Sequence, residues 1–289
     1  MKTSIVFFGT PEFAVPALSA LIDAPFCDVQ LAVTQPDKPI GRHHSKPVPS
    51  PVKQLALEAG IDVIDSPSLT RRGLGGGCSE LGVLVAYGEI IPKDLIDAFP
   101  LGILNIHPSL LPKYRGSSPI QAAILNQDKE TGVTIMRLDD AMDHGPVVIQ
   151  ERVKLHKTET AGDLHDTLAK IGAKLLIKTL PDYIAGRIAL QTQNDEQASY
   201  TRKLTKQDGR IDWSKPASAI SAQVRAMNPW PGAWTEWENK KLIIWSMRKD
   251  GTPAEVQLEA KKRMAFSEFM RGHPDFKIPA AAGRPESAY

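Results

Sequence analysis

The chain predicts an α/β fold: a mostly parallel sheet in its N-terminal part and a smaller β-rich module after it. Three observations carry that expectation. Short apolar strands alternate with helix-like stretches through the first part of the chain. All five tryptophans, Trp213, Trp230, Trp234, Trp237 and Trp245, lie in the last third. Charge divides along the same line, since residues 1–199 hold 19 Lys/Arg against 23 Asp/Glu, a net −4, and residues 200–289 hold 16 against 10, a net +6.

The elements follow in order. Ile5 to Gly9 reads as a buried strand, Pro16 to Ile22 as a helix, Val29 to Thr34 as a strand, Val52 to Ala59 as a helix and Val83 to Ala86 as a strand. Where the first strand ends, Gly9 permits a tight turn, Thr10 is placed to cap a helix and Pro11 suits its first turn, leaving backbone N–H groups free there. This is not G-x-G-x-x-G, so a dinucleotide site is poorly supported. Gln35 to Pro51 carries five prolines with Lys38, Arg42, His43, His44 and Lys46. A loop of that length inside a compact domain is either functional or a plain surface insertion. Gly73 to Gly77 has almost no side chains to pack and reads as a flexible loop. After Asp143 come a strand (Pro146 to Val153), a helix (Ala161 to Leu180) and a polar, extended stretch from Gln191 to Tyr200. Leu242 to Trp245 reads as a short strand in the β-rich module. The division expected is a catalytic domain at 1–190, a linker at 191–203, a C-terminal domain at 204–279 and a disordered tail at 280–289.

With 289 residues, 42% hydrophobic and 24% charged, the chain is an ordinary globular protein able to bury one large or two modest cores. No segment nears the roughly 18 uninterrupted apolar residues of a membrane span. The run Ser4 to Gly9 is too short for a signal-peptide core. Cys27 and Cys78 lack C-x-x-C spacing, so neither a disulfide framework nor a thiolate zinc site is indicated; both read as packing residues in a reducing cytoplasm. A basic C-terminal part is what a polyanionic partner needs, although a merely solvated basic surface reads the same way.

The chemistry concentrates at two places. In Leu101 to Ser109, strand periodicity puts Asn105 and His107 on one face, and Pro108 ends the ladder, so both polar side chains meet at a strand end, where ligands bind in open α/β sheets. A buried structural Asn and His making only hydrogen bonds would give the same pattern. Met142 to Pro146 then offers Asp143 on a loop shaped by Gly145 and Pro146. A carboxylate beside His107 would orient the ring and favour its charged form. Attack of an amine on an acyl carbon creates an oxyanion, which an Asn N–H and a protonated His can stabilise. With no G-x-S-x-G elbow, direct transfer is expected rather than an acyl-enzyme.

Asn105-x-His107, the string Ser109 to Gly116 (S-L-L-P-K-Y-R-G), Pro119-Ile120-Gln121 and Asp143 together resemble the core of the 10-formyltetrahydrofolate-dependent formyltransferases. The resemblance implies a Rossmann-like domain with Asn105, His107 and Asp143 as catalytic residues. It also implies a folate cleft at Val85, Ala86, Tyr87, Gly88, Asp139, Ser109, Leu110, Leu111 and Pro112, with neither metal nor nicotinamide. Further stretches resemble the branch of this family that acts on methionyl initiator tRNA: Phe8 to Phe13, the loop Gln35 to Lys53, Glu130 to Met136, Lys203 to Trp213 and Arg225 to Trp234. In that branch the loop reaches the tRNA acceptor arm and a C-terminal open barrel, OB-like, adds basic contacts. The implied tRNA-binding residues are Arg42, Lys38, Lys46, Lys203, Lys206 and Arg210, in a monomeric, cytoplasmic enzyme. A sugar-nucleotide N-formyltransferase and a non-catalytic folate- or RNA-binding relative remain as alternatives.

Departures from the family pattern sharpen these expectations. His144 stands where the family usually has Thr. After Lys249 to Thr252 the chain passes almost at once to Val256, where family members carry several further strands. A shortened barrel is expected, at a cost to tRNA affinity more than to catalysis.

Overall fold

The computed structural model describes residues 2–39, 47–65 and 79–277. Arg42, His43, His44, Lys46, the Gly73–Gly77 stretch, Cys78 and the 280–289 tail lie outside them. In chain order the first elements are β1 (Thr3–Gly9), α1 (Val15–Asp23), β2 (Cys27–Val33), β3 (Lys38–Pro39), β4 (Pro47–Val48), α2 (Pro51–Glu58), β5 (Asp62–Ile64), β6 (Leu81–Val85), α3 (Lys93–Ile96), β7 (Ile103–His107) and β8 (Arg115–Gly116). Then come α4 (Pro119–Leu125), β9 (Glu130–Arg137), β10 (Val147–Lys154), α5 (Ala161–Ile184), β11 (Tyr200–Thr201), α6 (Ala217–Ala226), β12 (Ala233–Trp237), β13 (Lys240–Met247), β14 (Pro253–Leu258), β15 (Met264–Ala265) and α7 (Phe266–Gly272).

Seven strands form one sheet in the order β10-β9-β7-β6-β1-β2-β5. The pairs β1·β2, β1·β6, β2·β5 and β6·β7 are parallel, and β7·β9 is antiparallel. The chain winds outward from β1 to β5, then restarts on the other side at β6, so the order reverses between β1 and β6. That switch point opens a crevice at the carboxyl ends of the strands. Val6, Phe8, Val33, Tyr87, Leu95, Phe99 and Ile103 make a core cluster, with Phe8 edge-on to Tyr87 (5.9 Å) and to Phe99 (6.1 Å).

Thr10 does not cap a helix as local sequence suggests. Residues Glu12–Ala14 form a 3₁₀ turn, α1 starts only at Val15, and neither has a side-chain cap. The Thr10 hydroxyl instead donates to Tyr87 O (3.1 Å) and accepts from Gln35 N (3.2 Å), while Gln35 Nε2 also donates to Tyr87 O (3.1 Å). Satisfying a buried carbonyl from two other strand ends outweighs a local cap. Ser50 does cap α2, accepting from Lys53 N at 3.2 Å. The described base of the Gln35–Pro51 loop is a short antiparallel ladder, with Lys38 opposite Val48 and Pro39 opposite Pro47. Cys27 is buried, and burial pushes its thiol up to about 11, as befits a packing residue.

Compactness divides the chain into two units that do not follow sequence order. One is Met1–Arg115, Gly132–Val153 and His165–Tyr200; the other is Gly116–Thr131, Lys154–Leu164 and Thr201–Tyr289. Of the stretch read as a linker, residues 191–200 belong to the first unit, where Gln191 bridges Val147 and Gln193 is buried, and residues 201–203 to the second. Its polar composition concealed this, because the buried amide of Gln193 is satisfied by partners distant in sequence.

In the second unit, β12, β13, β14 and β15 form an antiparallel meander in that order. After Thr252, β14, β15 and α7 follow directly. Trp237 from β12 packs edge-on against Phe269 (5.6 Å), His273 (4.8 Å) and Phe276 (5.7 Å). Phe269 is the most buried of these, so Phe269→Ala should cost about 3–5 kcal/mol through the cavity it leaves. Limited proteolysis checks this: cleavage within 253–277 should accelerate while the β1–β7 core stays resistant.

Candidate active site

β7 carries the site because both its neighbours bury it. Asn105 pairs with Leu84 of β6 and Met136 of β9, and His107 pairs with Thr134. Asn105 and His107 are both buried at the sheet's end. β9 runs against β7 and leaves it beside Leu104, so the following loop must turn back over the strand to deliver Asp143. The turn is tight: Asp143 has φ 49°, in the left-handed region, which costs a non-glycine residue about 1 kcal/mol or more. Gly145 sits where a Cβ would lie 2.0 Å from Arg137 O, so no other residue fits there.

The three expected catalytic side chains do meet. Asn105 Nδ2 donates to Asp143 Oδ1 at 3.3 Å, and His107 Nδ1 lies 3.6 Å from Asp143 Oδ2. His107 Nε2 lies 2.9 Å from Tyr114 O. A carbonyl only accepts, so Nε2 carries the hydrogen and Nδ1 is the ring nitrogen turned toward the carboxylate. Tyr114 reaches this position with a left-handed backbone, φ 63°. The resulting centre can hold a charged oxygen with the Asn amide and move a proton at His107 Nδ1.

The S-L-L-P-K-Y-R-G string braces that centre. Ser109 Oγ donates to Lys113 O (2.5 Å), Thr134 Oγ1 donates to Ser109 O (2.6 Å) and accepts from Leu111 N (3.1 Å), and Gln150 Nε2 donates to Leu111 O (2.7 Å). Thr134 and Gln150, which sequence reading missed, fold this turn onto β9 and so bring Tyr114 O to the imidazole. Among the expected folate residues, Ser109, Leu111, Val85 and Tyr87 are buried, Leu110 and Pro112 are half-buried, and Ala86 and Gly88 are exposed. Burial pushes the Tyr87 phenol up to about 12, helped by Glu89. A separate cavity of about 340 Å³, lined by Lys93, Phe99, Arg137 and Asp140 among others, includes Asp139 alone of that set.

Of the expected tRNA contacts, Lys38, Lys203, Lys206 and Arg210 are exposed, and Arg42 and Lys46 lie outside the described residues. Lys38 Nζ donates to Gln35 Oε1 (2.6 Å). Arg210 lies 5.8 Å from the Trp234 ring and 3.9 Å from Glu236 Oε2.

A polar network behind Asp143 was also invisible in the sequence. Arg115 and Gln193 are buried and hydrogen-bonded to each other, and Asp195 bonds Arg115 Nη2 at 2.7 Å. His144 Nδ1 lies 2.6 Å from Asp139 Oδ2, and its Nε2 lies 3.4 Å from Asp195 Oδ2. Among the described residues no group of three or more His, Cys, Asp or Glu side chains is placed to share a metal ion, and no helix is long and apolar enough to cross a membrane.

An amide, an imidazole and a carboxylate gathered at the end of a Rossmann-like sheet define an enzyme of direct group transfer. Residues 1–180 match the family model described as Formyl transferase, and residues 203–254 match that of Formyl transferase, C-terminal domain. The chain is 44% identical over 257 residues to a methionyl-tRNA formyltransferase of Heliobacterium modesticaldum, spanning 86% of this chain and 80% of that protein. It is 45% identical over 300 residues to the one from Solibacter usitatus, spanning 93% and 95%. Its fold matches a 4-N formyltransferase from Francisella tularensis with a TM-score of 0.66 at 22% identity, over 83% of this chain and 95% of that one, a likeness of fold alone. This chain belongs to the methionyl-tRNA formyltransferase family.

The hydrogen bond that His144 Nδ1 donates to Asp139 holds the imidazole above its ordinary value of 6.5, against a smaller opposing effect of burial. With a raised folded-state value, its contribution to stability is full below 6.5 and is lost as pH climbs through the folded value. His144→Thr should therefore lower the thermal midpoint at roughly pH 6 and converge with the unsubstituted protein in alkaline buffer; equal midpoints across the range would remove the ion pairs from consideration.

Proposed function

We propose that this chain transfers the formyl group of 10-formyltetrahydrofolate to the α-amino group of methionyl initiator tRNA, as a cytoplasmic monomer. The observation that carries the reading is the meeting of Asn105 Nδ2 and His107 Nδ1 on one carboxylate, Asp143.

The neutral amine attacks the formyl carbon, and the C=O π pair moves to oxygen. Asn105 Nδ2 uses one hydrogen on Asp143 and directs the other to this oxyanion. The attacking nitrogen becomes positive and gives its proton to His107 Nδ1, the nitrogen that Tyr114 O leaves open. The imidazolium is then held between Asp143 and the oxyanion. On collapse the C=O re-forms, the bond to the folate nitrogen breaks, and the Nδ1 proton goes to that nitrogen, so tetrahydrofolate leaves neutral at that atom.

Ala86 and Gly88, on the loop after β6, and Asp139, on the loop after β9, supply the folate-facing surface, together with the exposed side chains of Ile90 and Met142 on the same two loops. Contacts to tRNA are assigned to Lys38, Arg42 and Lys46 of the Gln35–Pro51 loop and, separately, to Lys203, Lys206 and Arg210 near the start of the Thr201–Tyr289 segment. The net charge of +6 beyond residue 199 supports this assignment.

The test offers purified protein 10-formyltetrahydrofolate with methionylated initiator tRNA, uncharged tRNA and an amino-sugar nucleotide in parallel. Formylation of the charged tRNA alone is expected; transfer to the sugar nucleotide would overturn the substrate assignment. Asn105→Ala, His107→Ala and Asp143→Ala should each reduce kcat by about 10²–10⁴-fold, with little change in KM for the folate. Near-normal turnover by His107→Ala would sink the proton-transfer role. Replacing Lys203 and Lys206 by Ala should raise KM for tRNA and flatten its dependence on log salt by about one unit for each phosphate no longer neutralised.

A further inference from the structure

We propose that Arg115 and Gln193 are positioning residues that hold Asp143 in its reactive conformation. The inference rests on the catalytic reading of Asp143 given above.

Gln193 is 8% exposed, and its Nε2 donates to two carbonyls of one turn, Asp143 O at 2.9 Å and Gly145 O at 2.8 Å. These carbonyls flank His144, so a single amide clamps the loop at both ends of the bend that carries the catalytic carboxylate. The other end of the same amide, Oε1, accepts from Arg115 Nε (3.1 Å) and Nη2 (3.0 Å). An amide can flip, and the flipped form would set its oxygen against two carbonyls. The guanidinium, which only donates, forbids that: its two hydrogens require an oxygen, and so require the NH₂ on the loop side.

Arg115 is itself fixed. It is 1% exposed, Nη2 donates to Asp195 Oδ1 at 2.7 Å, and Nη1 donates to Tyr200 OH at 3.2 Å. Burying a guanidinium costs several kcal/mol unless its donors are met, and an apolar residue of similar bulk would fill the space at less cost. What an apolar residue lacks is the power to orient Gln193. Asp195 also lies 3.4 Å from His144 Nε2, so the side chain between the two clamped carbonyls is tied back to the same carboxylate that fixes Arg115. Together these contacts keep Asp143 at φ 49° despite its left-handed cost, with its two oxygens toward Asn105 and His107.

Gln193→Glu is the discriminating substitution. It is isosteric and keeps an oxygen, now charged, for Arg115, but it places a second oxygen opposite the two carbonyls. We expect kcat for formyl transfer to fall about 10²-fold, the scale of a misplaced catalytic group. KM for the formyl donor and the thermal midpoint should stay near those of the unsubstituted protein. Gln193→Leu, which removes both faces of the amide, should give at least the same loss of kcat. Hydrogen–deuterium exchange of the 138–146 amides should quicken in Gln193→Glu. Unchanged kcat in Gln193→Glu, or a fall in kcat matched by equal losses in folate affinity and thermal midpoint, overturns the proposal. If the unsubstituted protein transfers formyl to no acceptor, the functional reading fails by itself, and amide exchange still decides the clamp: unchanged exchange rejects it and faster exchange upholds it.

Discussion

A histidine at the end of a parallel strand is met most easily by loops leaving that same end, and the chain's departure from that rule shapes its centre. β9 lies antiparallel beside β7, with Leu104 opposite Arg137 and His107 opposite Thr134. One register therefore does two jobs. It starts the Asp143 loop at the wrong end of β7, so that the loop must fold back, and it sets the Thr134 hydroxyl where it can bind the Ser109–Leu111 turn. A slip of one residue would turn Thr134 to the other face. The turn would then lose its tie to β9, and the Tyr114 carbonyl would lose its place on the imidazole.

What the sequence makes legible is what local periodicity encodes. Alternating short strands and helices announced the parallel sheet, and a period of two put Asn105 and His107 together. The reading falters where a polar side chain is satisfied by a partner far along the chain. Thr10 looks like a cap because its neighbours suit a helix start, yet its hydroxyl serves Tyr87, 77 residues away. Gln193 sits in a run of Gln, Thr, Asn, Asp and Glu whose composition says linker, and nothing local shows that its amide is buried against a buried arginine. Ser109 and Leu111, expected with their motif as ligand contacts, also build a turn, Ser109 through its hydroxyl and carbonyl and Leu111 through its backbone.

The C-terminal module shows why formal charge is a coarse guide. Several of its basic side chains are engaged internally: Arg202 pairs with Asp208, Arg263 lies 4.1 Å from the Trp245 ring, and Lys241 lies 4.3 Å from that of Trp234. Indoles here act partly as seats for cations, each contact giving roughly 0.5–1 kcal/mol where solvent reaches it. Their polar edges are met as well, with Trp213 Nε1 on Thr235 Oγ1 and Trp245 Nε1 on Gln257 Oε1, both at 3.0 Å. The excess positive charge is thus divided between holding the module together and facing outward.

The confinement of all five tryptophans to one unit has a spectroscopic consequence. Light absorbed at the red edge of the aromatic band excites indole and leaves tyrosine dark, so emission from this protein originates in the second unit and not in the sheet that holds Asn105 and His107. Trp230, half exposed, emits from a wetter setting than the buried Trp213 and Trp234. A polyanion settling on the second unit would quench that emission from the outside in.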